Sequence, residues 1–164
     1  MSLNLMERVI FLSSAEFSAA LPDPALRAIA EVAHEHEIPA GRTIFYEEDI
    51  GVEMYLIISG SVEVRKLGSS PDKSASGDRL GQLLTTLDSG DVVGEMSVLD
   101  DMPRSATVIA ATDARVLSIH KEDLRDAIAL CPDLAFGLFR VLSARLRRTS
   151  AAKAPVQPES MDGE

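Results

Sequence analysis

The sequence has few of the features that mark an extracellular or membrane-spanning protein. Cys131 is the one cysteine among 164 residues, so no intramolecular disulfide can form, and such sparing use of cysteine fits a reducing compartment. The longest unbroken apolar run, residues 54–58, is far shorter than the roughly 20 residues that span a bilayer. The apolar run at residues 9–12 is a poor match to a secretory signal. We therefore expect a cytoplasmic protein with no membrane span in this chain.

Positive charge is also scarce in this sequence. The chain has 16 Lys and Arg residues against 26 Asp and Glu residues, which gives a formal net charge of -10. A protein that binds a nucleic-acid backbone needs clustered Lys and Arg to displace counterions, so nucleic acid is disfavoured as a partner. What the chain does have is the composition of a soluble globular protein, 46% hydrophobic and 26% charged, at a length that suits one domain.

The N-terminal part of the chain has a helical pattern. We expect helices within residues 13–36, where Ser13 or Ser14 can cap a first helix. Asp23 followed by Pro24 can begin a second helix, because proline is favoured at the first helical position.

The helical pattern returns over residues 121–148. A break falls near Cys131 and Pro132, where proline cannot continue the preceding helix. Three arginines at the end of the last helix would complement the negative end of its dipole: Arg145, Arg147 and Arg148. We expect residues 1–149 to form one domain and residues 150–164 to be a disordered tail.

Between these parts, residues 38–120 alternate short runs of β-branched and aromatic residues with turn formers. Because no stretch between the runs has the length of a crossover helix, the pattern favours a β-barrel or sandwich over βαβ units. Residues 68–79 are predicted to be a long exposed loop within a strand connection. Six runs are predicted as strands: 43–46, 54–59, 61–67, 80–87, 105–111 and 114–120.

One segment between predicted strands, residues 94–108, has the properties of an anion site. Gly94 permits a close backbone approach. A short helical turn after it would present free N–H groups at Met96 and Ser97, and the free N–H groups of a helix start suit an anion.

Charged side chains in the same segment extend this chemistry. After Pro103, which fixes the turn, the guanidinium of Arg104 can fork onto phosphate oxygens, and Ser105 adds a hydroxyl donor beside it. Glu95 would repel an anion unless it has another role, and accepting a hydrogen bond from a sugar hydroxyl is such a role. The segment therefore suits a phosphate and a ribose hydroxyl held close together.

Residues 94–108 closely resemble the phosphate-binding cassette of the cyclic-nucleotide-binding domain family, found in the regulatory subunit of cyclic-AMP-dependent protein kinase and in bacterial cyclic AMP receptor proteins. Residues 39–41 and 54–62 resemble the family's entry into its β-roll and its turn glycine. The resemblance covers about residues 11–148. It implies a mainly β fold with flanking helices: an eight-stranded antiparallel, jelly-roll-like β-roll between N-terminal helices and C-terminal lid or hinge helices.

The resemblance also implies roles for individual residues. Glu95 and the backbone of Gly94 would hold the ribose 2′-hydroxyl. The cyclic phosphate would be held by the side chains of Arg104 and Ser105. Three backbone N–H groups would also donate to it, those of Met96, Ser97 and Ala106. The base would lie against Val93 and be covered by one apolar residue of the last helix: Leu138, Phe139 or Leu142.

Three positions bear on how this chain departs from the family and on the ligand. Val93 stands where the family commonly has Phe, which would trim the packing near the base. Glu48 stands where the family usually has Gly, in a turn that we expect to lie outside the pocket and not to affect binding. Ser105 follows the arginine as in the bacterial cyclic AMP receptors, whereas Thr there often accompanies cyclic GMP preference. The resemblance therefore favours cyclic AMP, with cyclic GMP as the alternative ligand.

The function implied is that of a non-catalytic sensor. Ligand binding would reposition the helices after Lys121 and so signal to an effector protein or domain, with a homodimer through the last helix as a further option. Since the chain stops without the helix-turn-helix of the family's transcription factors, we do not expect it to bind DNA. We also expect no enzyme activity, because no nucleophile–base or metal set converges in the sequence.

Other interpretations stay open at the level of sequence. The module could keep the fold and have lost its ligand, serving as a structural or dimerisation module. Glu95 and Arg104 could form an ordinary surface salt bridge, worth about 0–1 kcal/mol. His34 and His36 could suggest a metal, but two histidines at i and i+2 do not share a helix face, so a solvated helix end is favoured and no metal is expected.

Overall fold

The computed structural model describes residues 2–19, 21–66 and 81–152. Within these residues the chain forms five helices and eight strands, and the helices lie at the two ends of the chain except for one short helix between strands. In chain order the elements are α1 (Leu5–Ser14), α2 (Asp23–Val32), β1 (His34–Ile38), β2 (Thr43–Phe45), β3 (Glu53–Ser59), β4 (Val62–Lys66), β5 (Gln82–Leu87), β6 (Val92–Val93), α3 (Glu95–Asp100), β7 (Thr107–Ala110), β8 (Ala114–His120), α4 (Lys121–Leu130) and α5 (Asp133–Ala152).

The strands form two four-stranded antiparallel sheets that face each other. The first has the order β1-β8-β3-β6 and the second the order β2-β7-β4-β5. Buried residues of both sheets form one apolar cluster between them, among them Ile57 and Val116 of the first sheet and Val62 and Val108 of the second. The eight-stranded antiparallel β-roll with flanking helices is therefore confirmed, as two packed sheets and not as a closed barrel.

The helices cover the outer face of the first sheet. Along β3, Met54 and Leu56 point into the helical core, whereas Tyr55 and Ile57 belong to the roll interior, which is the alternation expected of a strand buried on both faces. The helical core joins α1, α2, α4 and α5 to this sheet through fully buried side chains: Leu12, Phe17, Ile29, Leu117, Ile119, Leu124, Leu134 and Leu138.

The prediction for the N-terminal helices was wrong in its bounds of residues 13–36. The first helix begins nine residues earlier than Ser14 because Asn4 and Glu7 form a capping box, each side chain accepting the other's backbone N–H at 3.0 and 2.8 Å. The Ser13 and Ser14 hydroxyls donate to carbonyls in the last turn of α1, so they lie at its end and not at its start.

The same prediction also placed helix where the chain forms a strand. Residues His34–Ile38 form β1, an edge strand paired along its length with β8, so the roll begins at residue 34 and not at 38. The sequence of β1, His-Glu-His-Glu-Ile, has no alternation of apolar and polar residues, and its strand conformation comes from backbone pairing with β8.

At the other end of the chain, α5 continues to Ala152, so residues 150–152 are helical and not part of a disordered tail. The predicted loop at 68–79 and the rest of the predicted tail lie outside the described residues. Of the helices in the described part, none alone is long and apolar enough to cross a membrane, although α4 and α5, bent by 119°, meet that test as a pair.

Candidate functional site

The segment 94–108 joins β6 to β7 at one end of the roll. Gly94 has a φ of +80°, a conformation that costs glycine little, and it turns the chain from β6 directly into α3. Asp101, with a φ of +58°, ends α3. The chain then returns through Pro103 to Arg104. We call residues 94–108, which leave the roll after β6 and rejoin it at β7, the excursion from the roll, and both Glu95 and Arg104 belong to it.

Arg104 is buried, with 4% of its surface exposed. Its Nη1 donates to the Gly94 carbonyl at 2.8 Å and its Nη2 to the Glu53 carbonyl at 2.6 Å. The guanidinium carbon lies 4.0 Å from the ring centroid of Phe45, within cation–π range. Arg104 Nε is buried and has no hydrogen-bond partner among the residues that the structure describes. Burial lowers the pKa of this guanidinium, yet an arginine stays charged at any ordinary pH.

Two glycines provide the space that the Arg104 guanidinium occupies. A Cβ at Gly51 would lie 2.4 Å from Arg104 Cζ, and a Cβ at Gly94 would lie 2.5 Å from its Nη1. Any other residue at either position would therefore displace the guanidinium or the backbone beside it.

The backbone of Arg104 is fixed by the turn that contains Glu48. The Glu48 N–H donates to the Arg104 carbonyl at 2.9 Å, and the Arg104 N–H donates to the Asp49 carbonyl at 2.8 Å. Glu48 itself has a φ of +71°, a conformation that glycine adopts more easily than other residues. This backbone conformation accounts for the glycine that the family usually has at this position. The turn therefore contacts the site directly, through the main chain of Arg104.

Glu95 is also buried, with 2% of its surface exposed, and a residue of α5 contacts it. Arg145 Nη1 donates to Glu95 Oε1, and Arg145 Nη2 donates to the Val92 carbonyl. Glu95 and Arg104 thus pair with other groups and are both buried, which rules out the surface salt bridge between them as an account of these residues.

The remaining predicted site residues lie around the same excursion. Ser97 and Ala106 are buried, at 3% and 6% exposure, whereas the Met96 side chain is 48% exposed. Ser105 is exposed, and its carbonyl accepts a hydrogen bond from Lys66 Nζ at 3.0 Å. Lys66, which also pairs with Glu47 at 2.5 Å, places a second cation beside this segment that the sequence did not single out.

The three residues of the last helix predicted to cover the base differ in burial, and Leu142 is half-buried. Leu138 is fully buried in the helical core, and Phe139 is 55% exposed and packs edge-on against Phe136. Arg145 is the α5 residue that contacts Glu95, and the prediction that it serves the helix dipole was wrong because α5 continues a further seven residues. Helical spacing places residues 138, 142 and 145 on one face of α5, but it does not indicate that this face meets Glu95, because that depends on how α5 packs on the roll.

Metal ligation finds no support in the described part of the chain, where no three His, Cys, Asp or Glu side chains could hold an ion together. His34 and His36 lie on a strand, where residues i and i+2 share a face, contrary to the helical prediction. His36 Nε2 lies 2.9 Å from Ser118 Oγ, so this histidine has a hydrogen-bond partner within the roll.

Comparison with known proteins matches residues 35–130 to the family model described as the cyclic nucleotide-binding domain. A Mycobacterium tuberculosis protein named as a CRP-like cAMP-activated global transcriptional regulator is 34% identical over 126 residues, which are 77% of this chain and 53% of that protein. The cAMP-dependent protein kinase regulatory subunit of Aspergillus niger is 32% identical over 107 residues, 65% of this chain and 23% of that one. The chain thus spans about half the length of the bacterial relative.

Solved structures give the same result for the fold. The Thermus thermophilus catabolite activator protein superposes with a TM-score of 0.71 at 28% identity, over 84% of this chain and 61% of that one. A cyclic nucleotide-binding domain from Methylobacillus flagellatus superposes with a TM-score of 0.74 over 96% of this chain and 86% of that one, and at 24% identity this likeness concerns the fold alone.

Proposed function

Since the chain belongs to the cyclic nucleotide-binding domain family, we propose that it is a non-catalytic regulatory module that binds cyclic AMP in preference to cyclic GMP. The proposal rests on the buried guanidinium of Arg104, whose Nε has no partner in the described part of the chain, and on the buried carboxylate of Glu95 in the same short segment. Burying a cation is costly unless it is paired, and one bound phosphodiester would add a negative charge paired with this guanidinium.

The phosphate would be held by the residues of the excursion from the roll. Arg104 and the Ser105 hydroxyl would donate from their side chains, with backbone N–H groups at Met96, Ser97 and Ala106 completing the site. The net charge of -10 does not oppose this ligand, because one phosphodiester carries a single negative charge that local donors can meet.

The ribose would be held by Glu95 and the backbone of Gly94. A 2′-hydroxyl donating to the Glu95 carboxylate would share it with Arg145, whose guanidinium already contacts Oε1. Ligand binding would therefore alter the contact that holds the C-terminal half of α5 against this site. In this way one carboxylate would link nucleotide binding to the position of α5.

A second link between this segment and the C-terminal helices would act at the end of α3. Asp101 accepts hydrogen bonds from Lys121 Nζ and from Arg125 Nη2, the latter at 2.9 Å, and both donors belong to α4. These two bonds lower the pKa of the Asp101 carboxyl. A movement of α3 on ligand binding would thus be passed to α4 as well as to α5.

The preference for cyclic AMP rests on Ser105 after Arg104 and on relatives whose names include cAMP. We propose that the signal passes to an effector protein or domain, that the protein acts in the cytoplasm, and that this chain binds no nucleic acid itself. The acidic balance of the chain supports the last point.

A second candidate function is a dimerisation module of the same fold. Phe136, Phe139 and Leu146 are exposed on α5 at 60%, 55% and 68%. With Ser143 they follow the 3-4-3 spacing of a coiled-coil seam, and a second copy of the same helix would fit such a stripe. This self-association is compatible with ligand binding, and it would remain if the ligand had been lost.

Calorimetric titration with cyclic AMP, cyclic GMP and 5′-AMP tests the proposal. We expect cyclic AMP to bind most tightly and 5′-AMP most weakly, because the open phosphate carries more charge and a different shape than the cyclic diester. If neither cyclic AMP nor cyclic GMP binds at millimolar concentration, the ligand-free module is favoured instead.

A further inference from the structure

A hydrogen-bond network of side chains lies beside Arg104 and has no role in the proposed ligand contacts. Tyr55 Oη donates to Glu53 Oε2 at 3.0 Å, and Ser118 Oγ donates to Glu53 Oε1 at 3.3 Å. His36 Nε2 lies 2.9 Å from the same Ser118 Oγ. Ser118 is 1% exposed, so the centre of this hydrogen-bond network lies within the roll.

Tyr55 reaches Arg104 by two routes. Through its hydroxyl it holds the side chain of Glu53, whose backbone carbonyl accepts the 2.6 Å hydrogen bond from Arg104 Nη2. Through its ring it stacks on Phe45, with centroids 5.9 Å apart and planes 29° apart, and the Phe45 ring also contacts the Arg104 guanidinium. Tyr55 thus contacts both Glu53, which accepts one of the two guanidinium hydrogen bonds, and Phe45, on whose ring the guanidinium lies.

We propose that Tyr55 is a positioning residue: it holds the Arg104 guanidinium in place through Glu53 and Phe45, and thereby sets the affinity for the phosphate of a cyclic nucleotide. The inference rests on the proposed function for the phosphate. It assigns to Tyr55 no contact with the ligand.

The ionisation state of Tyr55 suits this role. Burial, together with the negative charge and hydrogen bond of Glu53, raises the pKa of Tyr55 to about 12. The hydroxyl therefore keeps its proton and donates to Glu53 throughout the ordinary pH range. The support for the Glu53 backbone is constant, as a positioning contact requires.

A double-mutant cycle tests the inference. Tyr55→Leu removes the hydroxyl and the ring stack, and Tyr55→Phe removes the hydroxyl alone. Each is made in the wild type and in Arg104→Ala, and cyclic AMP affinity is measured by titration to millimolar ligand. If Arg104→Ala binds too weakly to measure, Arg104→Lys takes its place. Tyr46→Leu is the matched control, because Tyr46 is 56% exposed.

We expect Tyr55→Leu to weaken binding by roughly 3- to 10-fold in the wild type, as residues of one network couple by such amounts. Tyr55→Phe should weaken it less, because the stack on Phe45 remains. Neither substitution at Tyr55 should change the affinity for cyclic AMP in the variant that lacks Arg104. An equal loss of affinity in both backgrounds would overturn the inference, since Tyr55 would then act by a route other than Arg104.

The Nε–H resonance of Arg104 in ¹⁵N-labelled, ligand-free protein gives an independent measurement, assigned by its loss in Arg104→Ala. It should shift in Tyr55→Leu and stay in place in Tyr46→Leu, and an unshifted resonance in Tyr55→Leu would contradict the inference. Absence of cyclic nucleotide binding by the wild type would overturn the proposed function instead, and this resonance would then decide alone whether Tyr55 holds Arg104.

Discussion

At the scale of single residues, the space left by Gly94 is as important to the site as the donors of Arg104. Gly94→Ala would place a Cβ 2.5 Å from Arg104 Nη1. We expect cyclic AMP affinity to fall about tenfold or more in titration calorimetry, the effect of losing one charged hydrogen bond.

Gly90→Ala is the matched control for this change. Gly90 also has a positive φ, +91°, but a Cβ there would meet no atom of residues 2–19, 21–66 or 81–152 within 4 Å. Both substitutions should lower the free energy of unfolding by about 1–2 kcal/mol through backbone strain. Only Gly94→Ala should change affinity, and an equal effect of both on binding would show that Arg104 is not confined by Gly94.

Glu48 offers a test of backbone strain beside the site. Because its φ of +71° is unfavourable for a residue with a Cβ, Glu48→Gly should raise the free energy of unfolding in urea denaturation by about 1 kcal/mol. Glu48→Ala keeps the Cβ and removes the carboxylate, so it should not stabilise the protein. If Glu48→Ala stabilises as much as Glu48→Gly, charge and not strain is the cause.

The sequence predicted which residues form the excursion at 94–108 but not all of their contacts. Gly94, Glu95 and Arg104 could be identified from residue type and spacing. The contact of Arg145 with Glu95 could not, because it depends on the angle at which α5 packs on the roll. The Tyr55 and Phe45 contacts likewise depend on which strand faces turn toward Arg104.

At the scale of elements, Arg145 fastens α5 to the segment that contains Glu95. Arg145→Gln would leave the Glu95 carboxylate buried without its cation, at a cost on the order of 3 kcal/mol, the lower end of the range for breaking a buried pair. We expect faster amide exchange in the second half of α5, measured by hydrogen–deuterium exchange with mass spectrometry.

Arg148→Gln is the control for that experiment, since Arg148 is an exposed residue of the same helix. Amide exchange in α5 of Arg148→Gln should match that of the wild type. Unchanged exchange of α5 in Arg145→Gln would mean that the ion pair does not hold this helix, and the proposed link from ribose to α5 would be lost.

The positions of helices and strands were predictable where the apolar pattern of the sequence was strong. The run at 114–120 coincides with β8, whose two faces are both buried. In contrast, β1 has a polar sequence at a sheet edge, and α1 begins at a capping box, Asn4 and Glu7, that lies before the apolar run at residues 9–12. Both depend on hydrogen bonds that the apolar pattern does not encode.

At the scale of the whole molecule, the exposed stripe on α5 predicts self-association. Sedimentation velocity should show a concentration-dependent dimer for the wild type and a monomer for the double variant Phe136→Ser and Phe139→Ser. The matched control replaces Met6 and Ile10, which are exposed at 65% and 62% on α1, with Ser. A dimer lost equally in the control, or no dimer in the wild type at about 100 μM, would exclude this face as the seam.

Titration of cyclic AMP into the wild type, Glu95→Ala and Arg104→Ala tests whether Glu95 and Arg104 bind a cyclic nucleotide. If they do, the wild type should bind and each variant should lose about tenfold or more in affinity, from one charged hydrogen bond of about 1.5–3 kcal/mol. Wild-type binding that neither variant weakens, or no binding by the wild type at millimolar cyclic AMP, would contradict this prediction.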